Sequence, residues 1–442
     1  MITIYDCPEL APILKRREMQ TVADVPEVVL QSIERVFGER LTPETAVARL
    51  LSEVRSGGDE ALRAWTQRID HVELGALEVA AADWAAAYER LDDRMRETMD
   101  LAVQRIRDFH ARQPIPSWST DAMGGTVGQR LVPLERVGVY VPGGSAPLPS
   151  SLLMAVIPAR VAGVEQVFVC TPARREDGRV SDVILAAAHL AGVDRLFCLG
   201  GALAVAAMAF GTASVPRVDK IVGAGGLFTT LAKRQVYGLV GLDGLYGPTE
   251  TVVVADESAN PAWVAADLLA QAEHDVLATA ILLTPSSELA RSVQAEVAQQ
   301  LVGLSRAHIA TTSLAGQGGI VITPDLATAV RLADQFAPEH LCLSVRDPFA
   351  WVERIRNAGG VFVGEHSFEV LGDYIAGPSH IMPTGGTARF KGPVNVLDFV
   401  KVINIIGLDP GTAKRISSAA VEFAEAESLT AHAQAARLRA EA

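Results

Sequence analysis

Hydrophobic and polar positions follow two different patterns along the chain, and the change falls near residue 136. Before this point, as in residues 82–112, apolar residues recur at helical spacing between charged ones. Thr42-Pro43 suits the start of such a helix, and Gly57-Gly58 is expected to end it. Beyond residue 136, short β-branched runs alternate with Ala-rich stretches. The pattern predicts a helical beginning followed by alternating strands and helices.

The predicted strands form two series of similar spacing. The first comprises residues 137–141, 167–170, 196–199 and 220–222, and the second comprises 250–256, 280–284, 319–323, 340–345 and 360–364. Strands that alternate with helices at this spacing form parallel pairs, so each series predicts a parallel sheet covered by helices. We therefore expect an α/β fold with two parallel-sheet units in tandem.

The expected organisation has four parts. A mainly helical N-terminal segment covers residues 1–113, the two α/β units cover 114–247 and 248–382, and a C-terminal extension covers 383–442. The extension begins Gly-rich, continues with one short apolar run and ends in a helix from about Gly411. Because it is too short to be a domain, it is expected to pack on its own chain or to reach a second copy.

Composition and charge exclude several classes of protein. The chain has 442 residues, 49% of them hydrophobic, and a net charge of −13, which opposes binding to nucleic acid or to an anionic membrane. Glycines interrupt each apolar run before it reaches membrane-spanning length, and the N-terminus lacks the order of a secretory signal. The four cysteines are far apart and most lie in apolar runs, which is typical of buried thiols in a reducing compartment. These features predict a cytoplasmic protein.

One helix carries a polar stripe that could bind a metal ion. Asn260-Pro261 begins it, and Asp267, Gln271 and His274 follow on one face. Gln271 and His274, three residues apart, could reach the same zinc ion. The alternative is a solvated helix face that ends in a histidine favourable to the helix dipole.

Glu339 and His340 come immediately before a predicted strand. A carboxylate and an imidazole are the groups best suited to proton transfer near neutral pH. The alternative is a proline turn followed by an ordinary polar strand start.

Two further groups of polar residues lie toward the C-terminus. Glycines and proline around Asp373 and His380 predict a loop that presents both side chains, and a loop aspartate could complete a metal site. The alternative is an ordinary turn. Glu427 and His432 are expected on the last helix, where a single histidine is usually a surface residue.

Glycine-rich segments follow three of the first-series strands, at 141–145, 199–202 and 223–226. Such turns suit a phosphate or nucleotide, but none has the complete G-x-G-x-x-G pattern. P-loop, H-E-x-x-H and G-x-S-x-G patterns do not occur either.

Seven motifs together resemble the histidinol dehydrogenase family in order and spacing, from about residue 30 to the last ten residues. They read RVGVYVPGG, DKIVGAGG, GPTETVVVAD, DLLAQAEHD, FAPEHL, GDYIAGPSH and SLTAH. The resemblance implies a homodimer with two Rossmann-like domains, in which the partner chain contributes the C-terminal extension. It also implies zinc- and NAD-dependent oxidation of L-histidinol through L-histidinal to L-histidine.

The resemblance assigns roles residue by residue. The implied proton-transfer pair is Glu339 and His340, and the implied zinc ligands are Gln271, His274, Asp373 and His432. The implied substrate contacts are those four ligands together with Thr249, His340, His380 and Glu427. Thr249 stands where the family has serine, which keeps the hydroxyl. The implied cofactor contacts are Tyr140, Leu203 and Gly226.

The cofactor segments depart from the family pattern. This chain has Leu203 where the family has glutamine and Gly226 where it has asparagine, so two amide groups toward NAD are missing. Each loss is worth about 0.5–1.5 kcal/mol. GPSH also replaces the usual G-T-N-H.

These departures motivate two alternative functions for the protein. One is a related zinc- and NAD-dependent dehydrogenase that acts on another small amino alcohol or polyol. The other is a non-catalytic zinc-binding or regulatory relative, which would bind zinc without NAD.

Overall fold

The N-terminal segment forms helices in the computed structural model, which describes residues 2–15, 25–143 and 147–441. The helices are α1 (Glu27–Phe37), α2 (Pro43–Asp70), α3 (Ala81–Arg90) and α4 (Asp93–His110). The Thr42 hydroxyl caps α2 by accepting from the backbone N–H of Thr45. The expectation that Gly57-Gly58 ends this helix is wrong. Gly58 takes a left-handed φ of 54° and kinks the helix, which resumes because Leu62 and Trp65 beyond it pack into the core.

Six strands of the first α/β unit form a sheet in the order β2-β7-β6-β5-β8-β9. They are β2 (Glu78–Val79), β5 (Arg136–Tyr140), β6 (Gln166–Thr171), β7 (Arg195–Cys198), β8 (Lys220–Val222) and β9 (Gly241–Leu242). Only β2 runs antiparallel to its neighbour within this sheet. Around the sheet lie α5 (Pro149–Val161), α6 (Asp182–Ala191), α7 (Gly201–Phe210) and α8 (Leu227–Val236).

The second sheet is parallel throughout and has the order β1-β12-β11-β10-β13-β14. Its strands are β1 (Ile4–Tyr5), β10 (Glu250–Ala255), β11 (Thr279–Thr284), β12 (Gly319–Ile322), β13 (His340–Ser344) and β14 (Gly360–Val363). Its helices are α9 (Pro261–Ala272), α10 (Ser287–Gln300), α11 (Ala307–Gly316), α12 (Leu326–Phe336), α13 (Phe349–Val352) and α14 (Glu369–Tyr374). The α/β fold with two parallel-sheet domains is thus confirmed. The edge strand β1 was not predicted.

A third, antiparallel sheet joins two distant parts of the chain. It contains β3 (Trp118–Thr120), β4 (Gly125–Pro133) and β15 (Val400–Leu408) in the order β15-β4-β3. Residues 118–133, expected in the first α/β unit, therefore pair with the C-terminal extension instead. The extension ends in α15 (Pro410–Ala426) and α16 (Thr430–Glu441), separated at Ser428, which has a φ of 59°. Among the helices of the described residues, none combines the length with the apolar character that crossing a membrane requires.

A buried ion pair holds the glycine-rich turn after β8. Lys233 Nζ donates to Asp243 Oδ1 at 2.5 Å and to the Gly223 carbonyl at 2.9 Å, and neither charged side chain is more than 2% exposed. Asp243 Oδ2 accepts from the Gly223 N–H at 2.7 Å and from the Tyr246 hydroxyl at 3.1 Å. The N–H and the carbonyl of Gly223 are therefore both held by the Lys233–Asp243 ion pair.

Replacing Lys233 with Met should destabilise the protein, because the Asp243 carboxylate would stay buried without its counter-charge. We expect the free energy of unfolding to fall by about 3–5 kcal/mol, measured by urea denaturation. Arg346→Met, which breaks an exposed pair with Glu257, is the matched control and should cost less than about 1 kcal/mol. Equal losses in the two variants would contradict a structural role for the buried pair.

Candidate active site

The amino ends of two neighbouring parallel strands bring the central residues together. Strands β10 and β13 pair with Thr251 opposite His340. Thr249 comes directly before β10, and Glu339 comes directly before β13. Because both strands start at the same edge of the sheet, residues 90 positions apart in the chain become neighbours.

A chain of hydrogen bonds connects the helix α9 to Glu339. Gln271 Nε2 donates to the Thr249 hydroxyl, which donates to Glu339 Oε2 at 2.6 Å. The Glu250 N–H donates to the same carboxylate oxygen at 3.1 Å. Burial raises the pKa of Glu339 to about 7, although these bonds and His340 oppose the shift. The carboxyl group can therefore take up or release a proton near neutral pH.

The imidazole of His340 is buried and held in one tautomer. Its Nδ1 lies 3.2 Å from the carbonyl oxygen of Glu250, which can only accept, so Nδ1 carries the proton. Nε2 is then the basic nitrogen. It is buried, lies 3.8 Å from Asp373 Oδ1, and has no hydrogen-bond partner among the described residues. This arrangement leaves Nε2 to accept a proton from a bound molecule.

The sequence interpretation missed Glu369, a buried carboxyl group beside His340. The Thr251 hydroxyl donates to it, and its Oε1 lies 3.8 Å from His340 Nδ1. Burial raises the pKa of Glu369 well above its usual value. The spacing could have indicated Glu369, because this residue lies one helical turn before Asp373.

Asp373 lies on the helix α14, which corrects the expectation that a loop presents it. Gly372 lets this helix pack against the ring of Phe362, where a Cβ atom would approach to 2.6 Å. The rigid turn holds Asp373 toward His340 and His274.

Three of the four expected metal ligands lie on one side of this cluster. Gln271 is 1% exposed, whereas Asp267 of the same polar stripe is half-buried. His274 follows the end of α9 and is exposed in the single chain. Surrounding protein atoms lower the pKa of His274 by desolvation, and the charge of Asp373 opposes that shift. Within the described residues, no three His, Cys, Asp or Glu side chains converge closely enough to hold a metal ion.

His380 joins the two α/β units. Its Nδ1 lies 2.7 Å from the Asp373 carbonyl oxygen, so Nδ1 donates, and Nε2 accepts from the Ser151 hydroxyl of α5 at 3.0 Å. The sequence interpretation did not single out Ser151, because nothing in the local pattern marks a serine that meets a residue 229 positions away.

The single chain does not bring Glu427 and His432 to the cluster. Glu427 follows the end of α15, His432 lies on α16, and both are exposed. Neither residue has a hydrogen bond or ion pair with the clustered residues of the described chain.

The three expected cofactor residues line one cavity of about 550 Å³ at the carboxyl ends of β5, β6 and β7. Tyr140 ends β5 and is buried, which raises its pKa, while Leu203 and Gly226 belong to the first turn of α7 and the start of α8. A Cβ atom at Gly226 would have no neighbour within 4 Å, so open space remains there. Gly144 and Ser145 of the turn after β5 lie outside the described residues.

Comparisons with known proteins identify the family to which the chain belongs. The profile of the family described as histidinol dehydrogenase matches residues 38–440. Histidinol dehydrogenases from Deinococcus radiodurans and Thermus thermophilus are 51% and 50% identical, over 94% and 90% of this chain and 95% of each relative. The chain belongs to the histidinol dehydrogenase family. A crystal structure of histidinol dehydrogenase from Elizabethkingia anophelis has a TM-score of 0.91 and 31% identity, and the match covers 100% of this chain and 98% of that one.

A carboxyl group on α9 gives this member of the histidinol dehydrogenase family a testable pH dependence. Burial, with a smaller effect from Glu365, raises the pKa of Asp267 to about 7. The unfolded chain loses this proton first, so ionised Asp267 costs stability as the pH rises from about 4 to 7, and the cost is complete above pH 7.

Asp267→Asn should therefore be more stable than the parent at pH 8 by an amount on the order of a few kcal/mol. The difference should be largely lost near pH 4, where the folded carboxyl group is protonated and the unfolded one is about half protonated. Urea denaturation at the two pH values measures it, with the exposed Asp347→Asn as control. A stabilisation of the same size at both pH values would contradict this account.

Proposed function

We propose that the protein oxidises L-histidinol through L-histidinal to L-histidine, with NAD as oxidant and zinc as the metal. The observation that carries the proposal is the buried Nε2 of His340, which has no hydrogen-bond partner among the described residues and lies 3.8 Å from Asp373 Oδ1. Family membership and the names of the relatives support the substrate.

His340 is the proposed base. Its Nδ1–H is held by the Glu250 carbonyl, so Nε2 can take the alcohol proton as each hydride leaves carbon. The carboxyl groups of Glu339 and Asp373, each 3.8 Å from a ring nitrogen, would stabilise the imidazolium that forms.

Glu339 is proposed to act between the two oxidations. A water molecule must add to the aldehyde before the second hydride can leave, and its proton needs an acceptor. A carboxyl group with a pKa of about 7 suits this step, and its bond to Thr249 fixes its orientation. Thr249 and His380 are proposed to contact the substrate together with Glu427 of a second copy.

The donor set fits zinc. Gln271, His274 and Asp373 offer an amide oxygen, an imidazole and a carboxylate, and we propose His432 of a second copy as the fourth ligand. When bound, zinc would orient the amino alcohol and lower the pKa of its hydroxyl group. The chemistry of these donors supports zinc, and the ligand set needs a second copy because no three His, Cys, Asp or Glu side chains of the described residues converge.

NAD is proposed to occupy the cavity at the edge of the first sheet. The cavity of about 550 Å³ is of the size that small-molecule ligands need. The N-terminal ends of α7 and α8 border it, and such ends favour phosphate groups. Tyr140, Leu203 and Gly226 are the proposed contacts.

A homodimer would complete the site. The strand β15 and the helix α15 expose large apolar side chains, among them Ile406 at 76% and Phe423 at 74%. Exposed apolar surface of this kind is typical of protein interfaces. We propose that the extension 383–442 crosses to a second copy in a cytoplasmic enzyme, and its buried thiols at Cys170, Cys198 and Cys342 suit that compartment.

The purified protein should reduce NAD when supplied with L-histidinol, and a chelator should stop the reaction until zinc is restored. NADH absorbance measures turnover, and elemental analysis measures bound zinc. His340→Asn should lose at least about 100-fold in kcat, because the base is absent, and should keep its zinc.

The other outcomes separate the alternatives. No turnover of L-histidinol, with turnover of another small amino alcohol, would favour the related dehydrogenase. Zinc binding without any NAD binding would favour a non-catalytic relative. Loss of zinc from His340→Asn would contradict the proposed division between base and ligands.

Sharing of the site between two chains predicts complementation. His340→Asn and His432→Ala homodimers should each be inactive, but a mixed dimer would contain one site with both native residues. Co-expression in equal amounts should restore about a quarter of wild-type turnover, because half of the dimers are mixed and each has one intact site. The two chains carry different tags so that the mixed dimer can be isolated. No recovery in the isolated mixed dimer would contradict exchange of the tail.

A further inference from the structure

Asp70 places a carboxylate at the wall of the cavity proposed for NAD. It is the last residue of α2, and the chain turns away at His71, which has a left-handed φ of 61°. The wall around it is apolar and is built by helices of the N-terminal segment. The lining side chains there include Ile33, Val36 and Phe37 of α1 and Leu50 of α2.

The structure gives this carboxylate no partner that would explain it as a structural group. Among the described residues no hydrogen bond reaches it, and Arg175 and His71 act on it only through their charges. Burial raises the pKa of Asp70, so the ionised form costs folding stability.

The position of the carboxylate divides the cavity into two chemical regions. Asp70 Oδ2 would lie 3.7 Å from a Cβ atom at Gly200, so a negative charge already stands beside the N-terminal end of α7. The N-terminal end of α8, at Gly226, has open space and no such charge near it. Phosphate groups are therefore favoured near α8, and hydrogen-bond donors are favoured near α7.

We propose that Asp70 accepts hydrogen bonds from the 2′- and 3′-hydroxyls of the adenosine ribose of NAD and excludes NADP. The inference rests on the proposed use of a nicotinamide dinucleotide. An ionised carboxylate only accepts, and two adjacent hydroxyls can both donate to it. The adenine ring fits the apolar wall of α1 and α2, while the nicotinamide has to reach His340. A 2′-phosphate at the same place would meet the carboxylate as a like charge.

Arg175 makes the preference for NAD over NADP depend on Asp70. This exposed arginine also lines the cavity, and its charge acts on Asp70. Once the carboxylate is neutralised, the guanidinium becomes the nearest charge to a 2′-phosphate and would attract it. Asp70→Asn should therefore weaken NAD and strengthen NADP at the same time.

Calorimetric titration of the zinc-loaded protein with NAD and with NADP tests the inference without turnover. Wild type should prefer NAD, and Asp70→Asn should reduce the ratio of the two affinities by about tenfold or more. Arg175→Ala in the Asp70→Asn background should weaken NADP again. Glu73→Gln removes an exposed carboxylate three residues along the chain and should leave the ratio unchanged. Thermal unfolding of each variant confirms that it is folded.

The outcomes distinguish this inference from the proposed function. Wild type that binds NADP as tightly as NAD, or an Asp70→Asn variant whose ratio changes less than twofold, overturns the role of Asp70 while NAD binding still supports the dehydrogenase. Wild type that binds neither dinucleotide overturns both. An equal loss of affinity for NAD and NADP in Asp70→Asn would show a general effect on the cavity and would also overturn the inference.

Discussion

The parallel pairing of β10 with β13 is the contact on which the rest of the site depends. Val252 and Val254 of β10 pack into the core on one face of the second sheet, and Val253 packs on the other. A slip of one residue would exchange these faces and would separate the Thr251 hydroxyl from Glu369 and the Thr249 hydroxyl from Glu339, so these buried polar contacts fix the register. Thr251 therefore stays opposite His340 and presents its hydroxyl to Glu369, while Thr249 meets Glu339. The catalytic geometry is set by the core rather than by the loops.

The cluster and the cavity lie at opposite ends of the strands in their respective sheets. The cavity follows the usual rule for open α/β sheets, since it lies beyond the carboxyl ends of the strands. The cluster lies at the amino ends of β10 and β13. Hydride transfer needs the substrate carbon and the nicotinamide in contact. The proposed function therefore requires the carboxyl ends of the strands of the first sheet to face the amino ends of the strands of the second. The bond between Ser151 and His380 crosses between these two units.

The sequence predicted the strands closely but not the buried polar contacts. The run 250–256 corresponds to β10 at Glu250–Ala255, because buried β-branched runs bounded by glycine and proline mark their own limits. The end of α2 was predicted too early, at the two glycines. The helix continues beyond its glycine kink because Leu62 and Trp65 pack into the core. Glu369 was missed because its environment comes from strands far away in the chain. The ligand and cofactor residues came from resemblance, and their roles remain proposals.

The edge strand β1 has a consequence for how the protein folds during synthesis. Ile4 pairs with Ile320 of β12, so the second sheet cannot close its edge until most of the chain has left the ribosome. The first sheet needs only residues between 78 and 242 and can form earlier. Closure over so long a loop is entropically expensive, and an open edge invites pairing with other chains. The strand β1 is therefore made first and waits for its partner until β12 has left the ribosome, and chaperones have most reason to act during that interval.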